Sequence, residues 1–317
     1  MRHMKSMIAT LGLLLSAAAL GPAPSWSEIG FGPGQSMDPG EALRECQGAS
    51  GLNRLGSAAK PVRSSQEVYA AHTKAFGAAA FAGGSVDRIL EDYADDSVLV
   101  LSPGLDRPTG ILRGKARIRG FFEGVVAEFR KPGTTFRMEG EPSFERDVVR
   151  FSWSAQTPDN IFRRATDTLV IRNGKIAAQT FSAFVETKGS SGSPQPRPSV
   201  AGALAGTVNG EALRRHSEAF RNGQVDIVVD DFAPDAVILN SNGVMRGRDE
   251  LRRFFLAVLA TPNPTFKASF ATTVENIGFI EWSADGWPWG SDTFVYDSNG
   301  KIAIQTFDGF TTQTTSP

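Results

Sequence analysis

The chain has 317 residues, a formal net charge of −1, 41% hydrophobic and 21% charged residues. This composition suits a globular protein with one or two cores and excludes the basic excess of a nucleic-acid-binding surface. One cysteine, Cys46, rules out an internal disulfide, and three histidines leave too little for a histidine–cysteine metal site.

Residues 1–27 read as an export signal. Arg2, His3 and Lys5 make a positive start, and residues 8–20 form an apolar run of 13, short for a bilayer span. Small residues follow at Ala23, Ser25 and Ser27. A retained anchor is the competing reading. The length of the run favours an exported protein, periplasmic or secreted, with no stable membrane anchor. Residues 28–64 are rich in Gly, Pro, Ser and Ala and read as a flexible leader with one short helix over 39–46. Nothing places an acid or base beside Cys46.

A first repeat spans 65–187. Val68, Tyr69, His72 and Phe76 recur at helical spacing and predict a first helix. A second short helix is predicted over 86–93, with Ser85 as its cap. Strands follow at 97–101 and 110–113. Gly114 opens a third helix to about Phe129, and four strands are predicted over 134–139, 147–155, 162–172 and 175–186. Residues 188–206 form a Pro-, Ser- and Gly-rich linker. A second repeat spans 207–312, with a tail at 313–317.

The repeat is read from matched blocks in one order. Residues 225–239 match 86–100, the run from Arg246 to Phe255 matches that from Arg113 to Phe122, and Trp282-Ser283-Ala284 matches Trp153-Ser154-Ala155. Residues 299–307 agree with 173–181 at eight of nine positions, and each block follows an Asp-Thr pair on a predicted strand. Helix, helix, strand, strand, helix and four strands make an α+β unit, in which the helices must cover one face of the sheet.

The blocks YADDSVLV and RGKARIRGFF, with their counterparts in the second repeat and the closing NGKIAAQTF and NGKIAIQTF, resemble SnoaL-like members of the nuclear transport factor 2 superfamily. That superfamily includes ketosteroid isomerase. The resemblance implies two tandem cone domains, each three helices on a curved mixed or antiparallel sheet around a cavity. It also implies pairing through the sheet face, here an intramolecular pseudo-dimer of the repeats, with room for a further homo-oligomer.

His216 falls on the core-facing stripe of its helix with Leu213 and Phe220, as His72 does with Tyr69 and Phe76. A buried ring needs a partner, and the carboxylate shared by both repeats is Asp292, matched by Asp167. A histidine–aspartate pair at a cavity is acid–base equipment. Core histidines bonded to facing aspartates are the structural alternative. The isomerase resemblance puts that family's helix tyrosine on His216 and its oxyanion aspartate on Asp292. Its catalytic base falls on Asn240, and on Leu101 in the first repeat, where no carboxylate stands. Asp308, where the first repeat has Ser182, points to divergence and to the second repeat as the active one. Trp282, Trp287 and Trp289 would wall its pocket or serve packing.

The expected function is a cofactor-free lyase, isomerase or hydrolase acting on a small cyclic carbonyl compound. His216, Asp292 and Asp308 would be catalytic. Asn240, the three tryptophans, His72, Asp167 and Ser182 would line the substrate sites. The alternatives are an exported binding protein for a small apolar ligand and an interaction module. No phosphate-binding glycine motif, metal cluster or nucleic-acid surface is expected.

Overall fold

The computed structural model describes residues 62–102, 110–189, 204, 207–260 and 265–311. The export signal, most of the leader with its short helix over 39–46 and Cys46, most of the linker and the tail lie outside these residues.

In the first copy, α1 (Ser65–Phe81) and α2 (Val86–Leu90) precede β1 (Tyr93–Leu101) and β2 (Ile111–Arg113). Then come α3 (Lys115–Phe129), β3 (Thr135–Met138), β4 (Ser143–Glu145), β5 (Val148–Gln156), β6 (Asn160–Arg172) and β7 (Lys175–Thr187). The second copy repeats this as α4 (Val208–Arg221), α5 (Val225–Asp230), β8 (Phe232–Asn240), β9 (Gly243–Arg246) and α6 (Gly247–Val258). It closes with β10 (Lys267–Val274), β11 (Ile277–Ala284), β12 (Trp287–Tyr296) and β13 (Ile302–Phe310). The first sheet runs β2-β1-β7-β6-β5-β3, with β4 also on β5, and the second runs β9-β8-β13-β12-β11-β10. Both are mixed: β1 lies parallel to β7, and β8 parallel to β13. The expected α+β fold, two tandem cones, is what the chain forms.

Local chemistry sets the boundaries. Ser64 caps α1 and Glu67 answers it in a capping box, an arrangement that contributes about 1 kcal/mol. The second helix stops at Leu90, earlier than expected, because Tyr93 is already in the sheet opposite Ile176. The strand β4 was not expected, and three residues carry too little alternation to be read. The hairpin β6–β7 turns on Asn173 and Gly174, both at positive φ. The matching turn in the second copy is one residue longer, and the Asp297 carboxylate accepts from the backbone N–H groups of Asn299 and Lys301.

Side chains alternate across each strand, so each sheet has a helix side and an outer side. On the helix side lie the two main cores, around Trp153 and Phe122 in the first copy and around Trp282 and Phe255 in the second. On the outer sides, Val98, Val100 and Val170 meet Leu239, Phe279 and Ile304 in a third buried cluster shared by both copies. Thr168 Oγ1 lies 2.7 Å from Thr306 Oγ1, and Thr180 Oγ1 lies 2.6 Å from Thr293 Oγ1. Thr168 corresponds to Thr293 in the repeat, and Thr180 to Thr306. The two contacts are therefore one contact made twice about a local two-fold axis. Among the described residues, no helix is long and apolar enough to cross a membrane.

The two hairpin glycines should differ in sensitivity. Gly174 sits at φ 69°, and a Cβ there would lie 2.8 Å from Arg63 N. Gly300 sits at φ 71°, where the nearest atom would be Val208 Cγ1 at 3.4 Å. Both alanine substitutions cost roughly 1–2 kcal/mol for the left-handed backbone. Gly174→Ala should lower the urea midpoint visibly more than Gly300→Ala, and equal shifts would show that the Arg63 contact does not matter.

Candidate functional site

In the first copy, α1 delivers His72 to the helix side of the sheet, where β6 presents Asp167 and β7 presents Gln179. With Phe121, Phe136 and Trp153 they line a partly open cavity of about 50 Å³. In this measure a water occupies roughly 10–15 Å³, so the space holds a few waters or a small organic fragment. A larger ligand would need the aromatic rings to move.

The cavity's polar groups form a directed set. Asp167 accepts from Trp153 Nε1 at 2.9 Å and from Gln179 Nε2 at 2.6 Å. Gln179 Oε1 in turn accepts from the buried Tyr93 hydroxyl. Burial pushes the Asp167 carboxyl up to about 6, although both donors pull it down. His72 is 4% exposed, and its Nδ1 has no hydrogen-bond partner. Burial pushes its imidazole down to about 4, so the ring is neutral near pH 7. Tyr93 and Phe122 pack edge-on against that ring.

The second copy uses the same positions differently. His216 Nδ1 lies 3.2 Å from Asp231 Oδ2, and Arg215 Nε donates to Asp231 Oδ1 at 2.9 Å. Burial works against ionisation of Asp231, but the His216 ring and the Arg215 guanidinium outweigh it and hold the carboxyl below its usual range. The partner of His216 is thus Asp231, at the junction of α5 and β8, rather than the expected Asp292. Asp292 accepts from Trp282 Nε1 and Gln305 Nε2, each at 2.6 Å. Burial raises it to about 6, with the donors and the His216 ring opposing.

Two substitutions explain the difference. The first copy has Ala71 where the second has Arg215, and its matching aspartate, Asp92, is taken by Arg63 at 2.6 Å. His72 is left without that carboxylate. Conversely, Phe232 replaces Tyr93, and Gln305 Oε1 has no hydrogen-bond partner. Asn240 is buried at the end of β8, and its Oδ1 accepts from Asn242 N–H at 2.8 Å, which fastens the β8–β9 turn. Trp282 stacks on Phe307, and Trp287 packs beside both. The described cavity opens in the first copy, whereas the sequence reading favoured the second.

Ser182, Trp289 and Asp308 do not join either histidine. They lie on the outer side of the sheets, between the copies. Asp308 is 2% exposed, ion-paired to Arg150 at 2.7 Å and to Arg164 at 3.0 Å, and bonded to the Ser152 hydroxyl. Ser182 donates to Glu281 at 2.8 Å and accepts from Trp289 Nε1 at 3.2 Å. Alternation explains the placement: Asp308 follows Phe307 directly, so it points away from the face shared by Gln305 and Phe307. Gln179 and Gln305 were missed, although the repeated Gln-Thr-Phe displayed them. Asp231 and its match Asp92 stood in aligned blocks without being recognised as partners for a histidine. Among the described residues, no group of three or more His, Cys, Asp or Glu is placed to hold a metal.

The SnoaL-like domain family matches the chain twice, over residues 74–179 and 213–308. No curated protein sequence matches it. An NTF2-like protein of unknown function from Burkholderia xenovorans LB400 is 22% identical, with a TM-score of 0.31, over 35% of this chain and 88% of its own. An NTF2-like protein from Anabaena variabilis ATCC 29413 is 18% identical, with a TM-score of 0.32, over 39% of this chain and 91% of its own. The epoxide hydrolase/cyclase-like enzyme SalBIII, from pyran ring formation in polyether salinomycin, is 16% identical with a TM-score of 0.31, over 39% and 95%. These likenesses say nothing of chemistry.

The raised carboxyl of Asp167 has a consequence for stability. Its folded value lies above that of an unfolded aspartate, so its contribution is fully present below about pH 4 and is lost as pH rises through about 6. The loss is about 3 kcal/mol for two pH units. The Asp167→Asn variant lacks this dependence. Relative to that variant, the wild-type melting temperature should fall between pH 4 and pH 6 and then level off. A constant gap across that range would mean that Asp167 is not desolvated.

Proposed function

The chain belongs to the SnoaL-like family, as two tandem copies, and on that footing we propose that the first copy binds a small, mainly apolar molecule carrying one carbonyl or hydroxyl group. The observation that carries this reading is His72: buried, lining the cavity, with Nδ1 unpartnered. An unsatisfied buried polar atom is costly unless water or a ligand completes it. Around it stand aromatic rings, which favour an apolar ring or chain, and the Asp167 carboxyl, which orients a polar group. A ligand without negative charge fits best, because the imidazole is neutral near pH 7 and the Asp167 carboxyl, raised only to about 6, is largely ionised there.

A catalytic reading stands second, and one observation favours it. A carboxyl raised to about 6 is poised to take and return a proton near neutral pH. In that case Asp167 is the acid–base group and His72 the hydrogen-bonding one, the reverse of the roles the sequence suggested for the matching pair His216 and Asp292. Export through residues 1–27 belongs to the same proposal on sequence grounds, and sequencing the N-terminus of the mature protein from a cell fraction tests it.

A thermal-shift screen of the mature chain against small cyclic ketones, lactones, phenols and terpenoid alcohols tests the binding reading, because a ligand of the folded state raises the midpoint. A hit should bind about tenfold more weakly to His72→Phe, which keeps the ring packing and removes the nitrogens. It should bind normally to His216→Phe. A hit indifferent to His72→Phe would contradict the proposal. If the bound compound is turned over, Asp167→Asn should abolish conversion while binding persists.

A further inference from the structure

The two ends of the interface between the sheets carry the same kind of contact. At one end Asp308 of β13 meets Ser152 of β5. At the other, Glu281 of β11 meets Ser182 of β7 and Ser102 of β1. Ser152 and Glu281 are matched in the repeat, each directly before the shared Trp-Ser-Ala. Ser182 and Asp308 are matched too, each directly after the shared Gln-Thr-Phe. Each end is therefore an acid against a hydroxyl, and the acid always comes from the second copy. The cations come from the first: Arg150 and Arg164 flank Asp308, and their matched positions hold Phe279 and Trp289.

We infer that this buried charge pattern is a recognition code, by which the sheet face of the first copy accepts the face of the second and rejects another like itself. Two first-copy faces joined about the same axis would set Ser152 against Ser182 at both ends. Arg150 would be buried there with no acid opposite, and Arg164 would keep only Glu139 of its own copy, 3.8 Å away. Two second-copy faces would set Glu281 against Asp308 at both ends, with those arginines gone. Desolvated cations without acids and facing carboxylates both oppose association. The threonine contacts and most of the apolar ones do not discriminate, because matched positions hold similar groups, as in Thr168–Thr306 and Thr180–Thr293; Phe279, which stands where the first copy has Arg150, is the exception. The exposed pairs run in both directions, Arg146 with Asp235 and Arg246 with Glu145, and contribute little to the choice. Two chains that associate through these faces must then do so by exchanging halves.

The test uses the whole chain, folded first and then cut at a protease site introduced between residues 190 and 203. The cut protein is unfolded in urea, returned to buffer and weighed by native mass spectrometry. Only pairs of one first half with one second half should form. Pairs of like halves in comparable amount, or halves that stay single, would overturn the inference. The Glu281→Ser and Asp308→Ser double variant gives the second half the first half's hydroxyls, and pairs of two second halves should then appear. Their absence would show that the acids do not sort the faces. If that half does not fold, Glu281→Gln with Asp308→Asn keeps the shape and removes the charge, and the same two outcomes decide.

Discussion

A β-sheet has two faces, and in this chain neither is free. The helices take one face of each sheet and the other copy takes the opposite one. Alternation along each strand then fixes what every side chain can do. On β6, Asp167 turns to the helices while Thr166 and Thr168 turn to the other sheet. On β7, Gln179 and Phe181 join the cavity while Thr180 and Ser182 join the interface. Shifting β6 by one residue would bury Asp167 against Thr306 and put Thr168 in the cavity. The cross-copy threonine pairs and the Arg150–Asp308 contact therefore fix the register on which the cavity depends. Cutting one partner from a buried ion pair is expensive, about 3–5 kcal/mol, so that register is held firmly.

The duplication has left one scaffold with two states of the same histidine. In the second copy, Arg215 and His216 share Asp231, and the ring is part of a closed polar network. In the first copy, Arg63 takes the equivalent aspartate, and Ala71 leaves nothing in place of Arg215. The aspartates across the fold remain alike, each held by a tryptophan and a glutamine. Divergence has acted on the surroundings of the ring rather than on the ring or its facing carboxylate. A buried neutral histidine with an open nitrogen suits ligand contact, and one bound to a carboxylate suits structural support.

Much of the fold was legible because its signals are local. Asn173-Gly174 marks a hairpin, Ser85 marks a helix start, and the repeated Asp-Thr and Gln-Thr-Phe blocks mark the long strands. The family resemblance rested on the same blocks. The site was half legible. His72, Asp167, His216 and Asp292 do lie on the helix side of their sheets, as helical spacing and the shared hairpin implied. The partner of His216 was not, because Asp231 and Asp292 are both shared aspartates and only the path of α5 brings one to the ring. Asp308 reads as a site residue when weighed as a difference between copies, whereas its position directly after Phe307 assigns it to the opposite face, between the sheets. Arg150 gave no sign at all, since a lone arginine on a strand reads as exposed until the second sheet covers it.

His72 is a desolvated ring with an unpartnered nitrogen, while His216 is committed to Asp231. In a chain made to begin at Glu28, His72 and His216 are the only histidines, so nitrogen NMR of the two imidazoles across a pH titration tests this directly. The ring of His72 should stay neutral down to about pH 4, and it alone should shift when a compound fills the cavity. If His72 instead takes up its proton at the ordinary value near 6.5, or if the same compound moves only His216, the division of labour between the copies is wrong.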